Sequence, residues 1–304
     1  MGSPKKKSVI IICGPTAAGK TSVAIQLARH CRTEIISADS RQCYKELNIG
    51  VARPSATQLE TIKHHFIASH SVQEEVTAVT FEQYALQKTK ELFQQHDTVI
   101  MTGGTGLYIK AFCEGLDAVP DVPAEIRESI TRQYQENGME WLQNEIKEKD
   151  PSFYAKGEIQ NPQRMMRALE VVLSTGKSIL SFHKGEKTVR DYDILKIGLE
   201  LPKEELVRNI NTRVDKMMQT GLLNEVKGLT GFKNLNALQT VGYAELFEHF
   251  EGKISLQEAA ERIKTSTWQY AKRQMTWFKK DKEIKWFAPE QVKEMVELAK
   301  ANLS

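Results

Sequence analysis

The sequence predicts an α/β fold: a parallel sheet flanked by helices, interrupted by a helical insertion and completed by a helical C-terminal part. Three observations carry that reading. Short apolar runs alternate with amphipathic stretches through the first third of the chain. A glycine-rich turn joins the first run to the first helical stretch. Beyond Pro120 the β-rich runs give way to charged segments of helical period.

Taken in order, Val9 to Cys13 is an unbroken apolar run ending in Gly14-Pro15, the pattern of a strand buried on both faces. Thr21 to His30 then places Val23, Ala24, Leu27 and Ala28 on one helical face. Glu34 to Ala38 is a second strand candidate, closed by Asp39-Ser40. A helix from about Phe81 to Gln95 leads into a third, Thr98 to Thr102, closed by Gly103-Gly104. Strand–helix–strand units of this length imply parallel pairing. After the proline-rich turn Val119 to Pro123, Glu125 to Lys149 and Arg164 to Thr175 read as helices, and Ile194 to Leu201 as a return to the sheet. Lys203 to Gly221, Ala244 to Phe250, Leu256 to Lys280 and Pro289 to Ala301 are again helical in period. The expected organisation is an α/β core of residues 1–118 and 186–304 with a helical insertion domain over 119–185.

Composition narrows the class. The 304 residues carry 42 basic and 39 acidic side chains, a net charge of +3, which neither demands nor excludes nucleic acid. With 40% hydrophobic and 27% charged residues the chain has the balance of a folded soluble protein. No apolar run approaches membrane-spanning length, and the lysine-rich start lacks the apolar region of a secretory signal. Cys13, Cys31, Cys43 and Cys113 form no C-x-x-C pair, which fits neither a disulfide framework nor a zinc site. A cytoplasmic location is expected.

Gly14-Pro15-Thr16-Ala17-Ala18-Gly19-Lys20-Thr21 matches G-x-x-x-x-G-K-S/T between a strand and a helix. Its backbone N–H groups and the helix N-terminus suit phosphate oxygens, Lys20 adds a full charge, and the Thr21 hydroxyl can hold Mg²⁺. A polyphosphate, as in P-loop NTPase-like nucleotide-binding proteins, is the expected ligand. Asp39, at the end of the second strand, serves three readings: a magnesium acid, a general base toward an acceptor, or a cap for the following turn. Gly103-Gly104-Thr105-Gly106 permits close approach at the same edge of the sheet, with the Thr105 hydroxyl in the crevice.

Arg164 and Arg167 share a helix face at i, i+3, either salt-bridged in solvent or aimed at phosphate. Trp268 to Phe287 holds three of the four tryptophans and six cations against two acids, a composition suited to stacking on unpaired bases. The competing reading packs Trp268, Ala271, Met275 and Phe278 inward and leaves the lysines in water. His64-His65 lacks a second ligand cluster and points to no metal.

In order along nearly the whole chain, GPTAAGKT (14–21), ISADSRQCY (36–44), GGTGLY (103–108), QRMMRALEV (163–171), RVDKMMQTGLLNEV (213–226), TVGY (240–243) and KRQMTWFK (272–279) resemble the bacterial tRNA dimethylallyltransferases, the IPP transferase family. The resemblance implies transfer of a dimethylallyl group from dimethylallyl diphosphate to the N6 amine of the adenosine 3′-adjacent to the anticodon. Diphosphate binding would fall to Gly14, Pro15, Thr16, Ala17, Ala18, Gly19, Lys20 and Thr21 with Mg²⁺, and to Arg213; the base would be Asp39. Contacts to the tRNA would come from Asp39, Ser40, Arg41, Gln42, Thr105, Arg127, Gln163, Arg164, Met165, Met166, Arg167, Lys272, Arg273, Gln274, Met275, Thr276, Trp277, Phe278 and Lys279. The helical insertion would act as a tRNA clamp and the enzyme as a monomer. Ala68 stands where the family often has an acid, Trp268 where an arginine is usual, and Ser69 to Val79 holds no proline. No cysteine follows Cys113, which matches the bacterial form without a zinc finger. The rival readings are an ATP-using P-loop kinase of a small metabolite, with Asp39 as base, and an RNA-binding protein with a vestigial phosphate site.

Overall fold

A computed structural model describes residues 7–183 and 185–303. The first part of the chain runs β1 (Ser8–Cys13), α1 (Lys20–Cys31), β2 (Ile35–Ser37), α2 (Ala56–Thr61), β3 (His64–His65), α3 (Ala78–Leu92), β4 (Thr98–Thr102) and α4 (Gly106–Glu114). Three helices follow: α5 (Ala124–Lys149), α6 (Pro151–Lys156) and α7 (Pro162–Thr175). The chain then continues as β5 (Asp193–Leu199), α8 (Lys203–Gln219), α9 (Leu222–Lys227), α10 (Ala244–Phe250), α11 (Leu256–Phe278), β6 (Lys285–Phe287) and α12 (Val292–Leu303). Two compact units result: Met1–Cys113 with Val189–Ser304, and Glu114–Thr188.

All pairs in the six-stranded sheet are parallel, in the order β3-β2-β4-β1-β5-β6. The reason is visible in β1. Val9 and Ile11 belong to the core on one face, with Phe81, Phe112 and Tyr243, while Ile10 and Ile12 belong to the other, with Leu27, Met295 and Ala299. A strand apolar on both faces needs helices on both, and parallel crossovers supply them. Because β1 sits between β4 and β5, the chain works outward to one side first and returns on the other. That reversal opens a crevice at the carboxyl ends of the strands.

Two short strands escape a reading by periodicity: β3 spans two residues and β6 three. The segment Trp268 to Phe287 therefore divides. Its first part finishes α11, and its last pairs with β5, Gly198 opposite Trp286. Buried Lys196 fastens this turn, donating to Asp281 at 2.7 Å and Glu283 at 2.8 Å. Burial alone would lower the Lys196 pKa, but these two carboxylates outweigh it and hold the ammonium above its usual range.

The second unit has its own core of Ile130, Leu142, Ile146, Phe153, Met165, Leu169 and Val171. Helix α5 is broken at Gly138, whose backbone (φ 73°, ψ −159°) is not helical. Among the described residues no helix is long and apolar enough to cross a membrane.

Candidate active site

The phosphate loop leaves β1 at the centre of the sheet edge. Gly14 has φ 135°, and a Cβ there would lie 2.6 Å from the Leu199 carbonyl oxygen, so two constraints select glycine. Gly19 caps α1 in the left-handed region (φ 83°) with no side-chain cap, which leaves the first N–H groups of the helix directed at the loop. Lys20 folds back, its Nζ donating to the Pro15 carbonyl at 2.7 Å. Desolvation, reinforced by nearby Arg213 and opposed by Asp39, lowers the Lys20 pKa to about 8. Arg213 on α8 donates to the Thr16 hydroxyl at 3.2 Å, and burial lowers its pKa as well. The Thr21 hydroxyl is partly exposed and has no hydrogen-bond partner among the described residues.

The second glycine loop threads between the ends of β1 and β2. Gly103 N donates to Ile12 O at 3.1 Å and Thr105 N to Ala38 O at 3.2 Å, while Ala38 N donates to Thr102 O at 2.7 Å. Thr105 Oγ1 accepts from Ser40 N at 3.0 Å and lies near the Tyr270 hydroxyl. Asp39 Oδ1 accepts from Arg41 N at 2.9 Å and Gln42 N at 3.2 Å, so the capping reading is realised in the fold. Those bonds also orient the carboxylate, and they leave Oδ2 without a partner among the described residues. The capping role and a chemical role are therefore compatible.

Helix α11 brings Gln274 against both loops. Its Oε1 accepts from Thr16 N and its Nε2 donates to Gly104 O, each at 2.8 Å. Trp277, three residues on, lies where a Cβ on Gly106 would fall, 2.2 Å from the ring.

Several expected RNA contacts need correction. Met165 is fully buried and Met166 nearly so in the core of the second unit, and Phe278 is buried beneath α11. Apolar side chains in these positions pack the helices and have no surface for a nucleotide. Gln274 is equally interior, at 6% exposure. Met275 is only partly buried, so the inward face of α11 is Ala271, Gln274 and Phe278 in place of the expected set with Met275. Lys272, Arg273, Thr276 and Lys279 do face solvent. Lys279 is held to Glu200 at 2.6 Å, over the Trp286 ring. Gln42 spends its side chain on Val51 O and Ala52 O, and Arg41 donates to Asn236 O. In the second unit, Gln163 is exposed and Arg164 pairs with exposed Glu158 at 2.8 Å. Arg127 and Arg167 converge on buried Glu170 at 3.7 and 3.0 Å.

Other contributors were not legible as such. Asn209 donates to Ala17 O at 3.4 Å, bracing the phosphate loop from α8. Glu225 accepts from Ile49 N, Gly50 N and the Tyr243 hydroxyl at 2.7, 3.1 and 2.6 Å. The motifs GLLNEV and TVGY thus shape the loop on which Gln42 leans, and their presence as motifs was the available signal. Cys13 and Cys43 are buried, and burial pushes both thiols up to about 12, which removes them from thiolate chemistry.

A phosphate loop at the carboxyl edge of a parallel sheet, with a carboxylate and a second glycine loop across the crevice, defines a P-loop-like α/β transferase core. The chain belongs to the IPP transferase family, whose model matches residues 42–281. It is 43% identical to the tRNA dimethylallyltransferase of Cytophaga hutchinsonii, with 98% of each chain covered. It is 48% identical to that of Christiangramia forsetii over 92% of each. Among solved structures it resembles the tRNA isopentenylpyrophosphate transferase of Bacillus halodurans (TM-score 0.72, 29% identity, 98% of this chain and 97% of that one). It also resembles a eukaryotic dimethylallyltransferase acting on tRNA (TM-score 0.71, 27% identity, 89% of this chain and 69% of that one).

Proposed function

We propose that the protein transfers a dimethylallyl group from dimethylallyl diphosphate to N6 of the adenosine 3′-adjacent to the anticodon in tRNA, releasing diphosphate, as a cytoplasmic monomer. The observation that carries this reading is the Arg213 guanidinium seated on the Thr16 hydroxyl of the phosphate loop, with the Asp39 carboxylate, held through Oδ1, just beyond the carboxyl end of β2 in the same parallel sheet. Relatives named for this reaction over nearly their full length favour it over the small-molecule kinase.

In the reaction the N6–C1 bond forms as the C1–diphosphate oxygen bond breaks, and one proton leaves N6. The exocyclic amine, conjugated with the purine, is a weak nucleophile, so a base at the forming bond is useful. Asp39, fixed through Oδ1, presents Oδ2 for that proton. Lys20 and Arg213 meet the negative charge gathering on the leaving group, assisted by the N–H groups at the start of α1. The Thr21 hydroxyl fits Mg²⁺, an ion that usually retains waters and binds largely through phosphate oxygens, and that neutralises charge on a departing diphosphate. On the core, the exposed Lys272, Arg273 and Lys279 of α11 supply cations for RNA phosphates, and on the insertion, taken by itself, exposed Gln163 and Arg164 offer polar contacts.

The deciding experiment offers Mg²⁺, labelled dimethylallyl diphosphate and an anticodon stem-loop, beside a tube with labelled ATP in place of the donor. Label on the RNA with ATP intact is expected. ATP consumption with unlabelled RNA would overturn the reading in favour of the kinase.

A further inference from the structure

We propose that Gln274 is a positioning residue that fixes the separation between the phosphate loop and the acceptor-side loop, and that it makes no contact with RNA. The inference rests on the transfer reaction proposed above and assigns a structural cause to its alignment. Three observations from the fold converge on it.

First, both ends of one carboxamide are used. Oε1 takes the Thr16 N–H of the phosphate loop, and Nε2 gives to the Gly104 carbonyl of the second loop, both at 2.8 Å. A planar amide of fixed length between two backbone groups acts as a spacer between the loops that carry them. Second, the side chain is 6% exposed, so each of its polar atoms needs a partner and neither bond is idle. Third, the second loop is shaped to receive it: a Cβ on Gly104 would lie 2.1 Å from Gln274 Nε2.

The spacer belongs to a wider contact. Tyr270, Gln274 and Trp277 stand at i, i+4 and i+7 on α11, one face of the helix. They meet Thr105, Gly104 and Gly106 respectively. The same helix turns Lys272, Arg273, Thr276 and Lys279 to solvent. One face of α11 therefore sets the reacting geometry while the other remains open to a polyanion. Since Thr16 also holds the Arg213 guanidinium through its hydroxyl, a shift of this residue moves a diphosphate ligand as well. Near-attack alignment is sensitive to displacements of about 1 Å, which can cost on the order of 10²-fold in rate.

The test compares Gln274→Met, which keeps the volume and removes both bonds, with Gln274→Asn, which keeps the amide but is too short to span both loops. Three quantities are read: the dissociation constant for the anticodon stem-loop, kcat at saturating donor, and calorimetric affinity for inorganic diphosphate with Mg²⁺. The expected result is stem-loop affinity within about twofold of the parent, kcat lower by about 30-fold or more, and diphosphate affinity weaker by several-fold in both variants. An at least tenfold loss of stem-loop affinity with kcat unchanged would make Gln274 an RNA contact and overturn the proposal. Unchanged values of all three would overturn it equally. If the parent protein itself transfers no dimethylallyl group, the proposed function fails, while the diphosphate measurement still decides whether Gln274 holds the phosphate loop. Should Gln274→Met not fold, Gln274→Asn carries the same comparison.

Discussion

The two glycine loops of the crevice are alike in sequence style and different in cause. In the phosphate loop, Gly14 and Gly19 hold φ values of 135° and 83°, so the backbone itself calls for glycine. In the second loop, Gly103, Gly104 and Gly106 need no left-handed backbone. There a Cβ would meet Ala38 O at 2.0 Å, Gln274 Nε2 at 2.1 Å and the Trp277 ring at 2.2 Å. The first motif is dictated locally and the second by what packs on it. A local motif is recognisable in isolation; a packed one acquires meaning only with its partners.

That contrast can be broken most forcefully at the chemistry. Lys20→Ala should abolish transfer by losing diphosphate affinity, while Asp39→Ala should keep both diphosphate and stem-loop binding and lower kcat by about 10²–10⁴-fold. Near-parental turnover of the Asp39 variant would remove it from the mechanism. At the glycines, Gly14→Ala should destabilise the fold by about 2–4 kcal/mol in a denaturant titration, because both its dihedral and the Leu199 backbone oppose the change. Gly104→Ala pushes the buried Gln274 amide off the Gly104 carbonyl while leaving the backbone unstrained, so stability should fall by only about 1 kcal/mol while kcat falls by about 10-fold. A large loss of stability in the second variant would erase the distinction between the loops.

The pH dependence sharpens the donor side. Lys20, with its pKa lowered to about 8, is charged below that pH and neutral above it. Because the cation attracts diphosphate, kcat/KM for the donor should fall by up to tenfold per unit as pH rises past about 8, with stem-loop affinity following no such curve. The sign reverses for stability: a lysine whose folded pKa is depressed favours the folded state more as the pH rises through about 8. The smallest effect is expected on the outer face of α11. Lys272→Ala and Lys279→Ala should each weaken stem-loop binding a few-fold and reduce its salt slope by about one, leaving kcat at saturation unchanged.

Legibility followed the same division. Glu34 to Ala38 and Thr98 to Thr102 contain β2 and β4, and Val9 to Cys13 and Ile194 to Leu201 miss only the first residue of β1 and β5, since each is long enough for its pattern to register. His64-His65 and Lys285–Phe287 were illegible as strands because two or three residues establish no period, and pairing alone makes them strands. The strand–loop–helix turn at Gly14 to Thr21 was readable residue by residue. Gln274 was read as facing solvent because it stands among lysines and arginines, and only the loops beneath it show that its amide is interior. Met165 and Met166 on α7, and Phe278 on α11, each stand beside exposed cations of their own helix, and proximity in sequence conceals that successive residues turn about 100° around the axis.

By itself the sequence determined the parallel α/β core, the glycine-rich turn at Gly14 to Thr21 and the family, because these depend on covalent order and local dihedral demands. Only the tertiary structure decided that Asp39 is held through one carboxylate oxygen, that Lys20 is desolvated beside Arg213, and that Gln274 bridges two loops more than 80 residues apart in the chain. The physical reason is that hydrogen bonds, burial and electrostatic fields belong to neighbours in space, and folding chooses those neighbours.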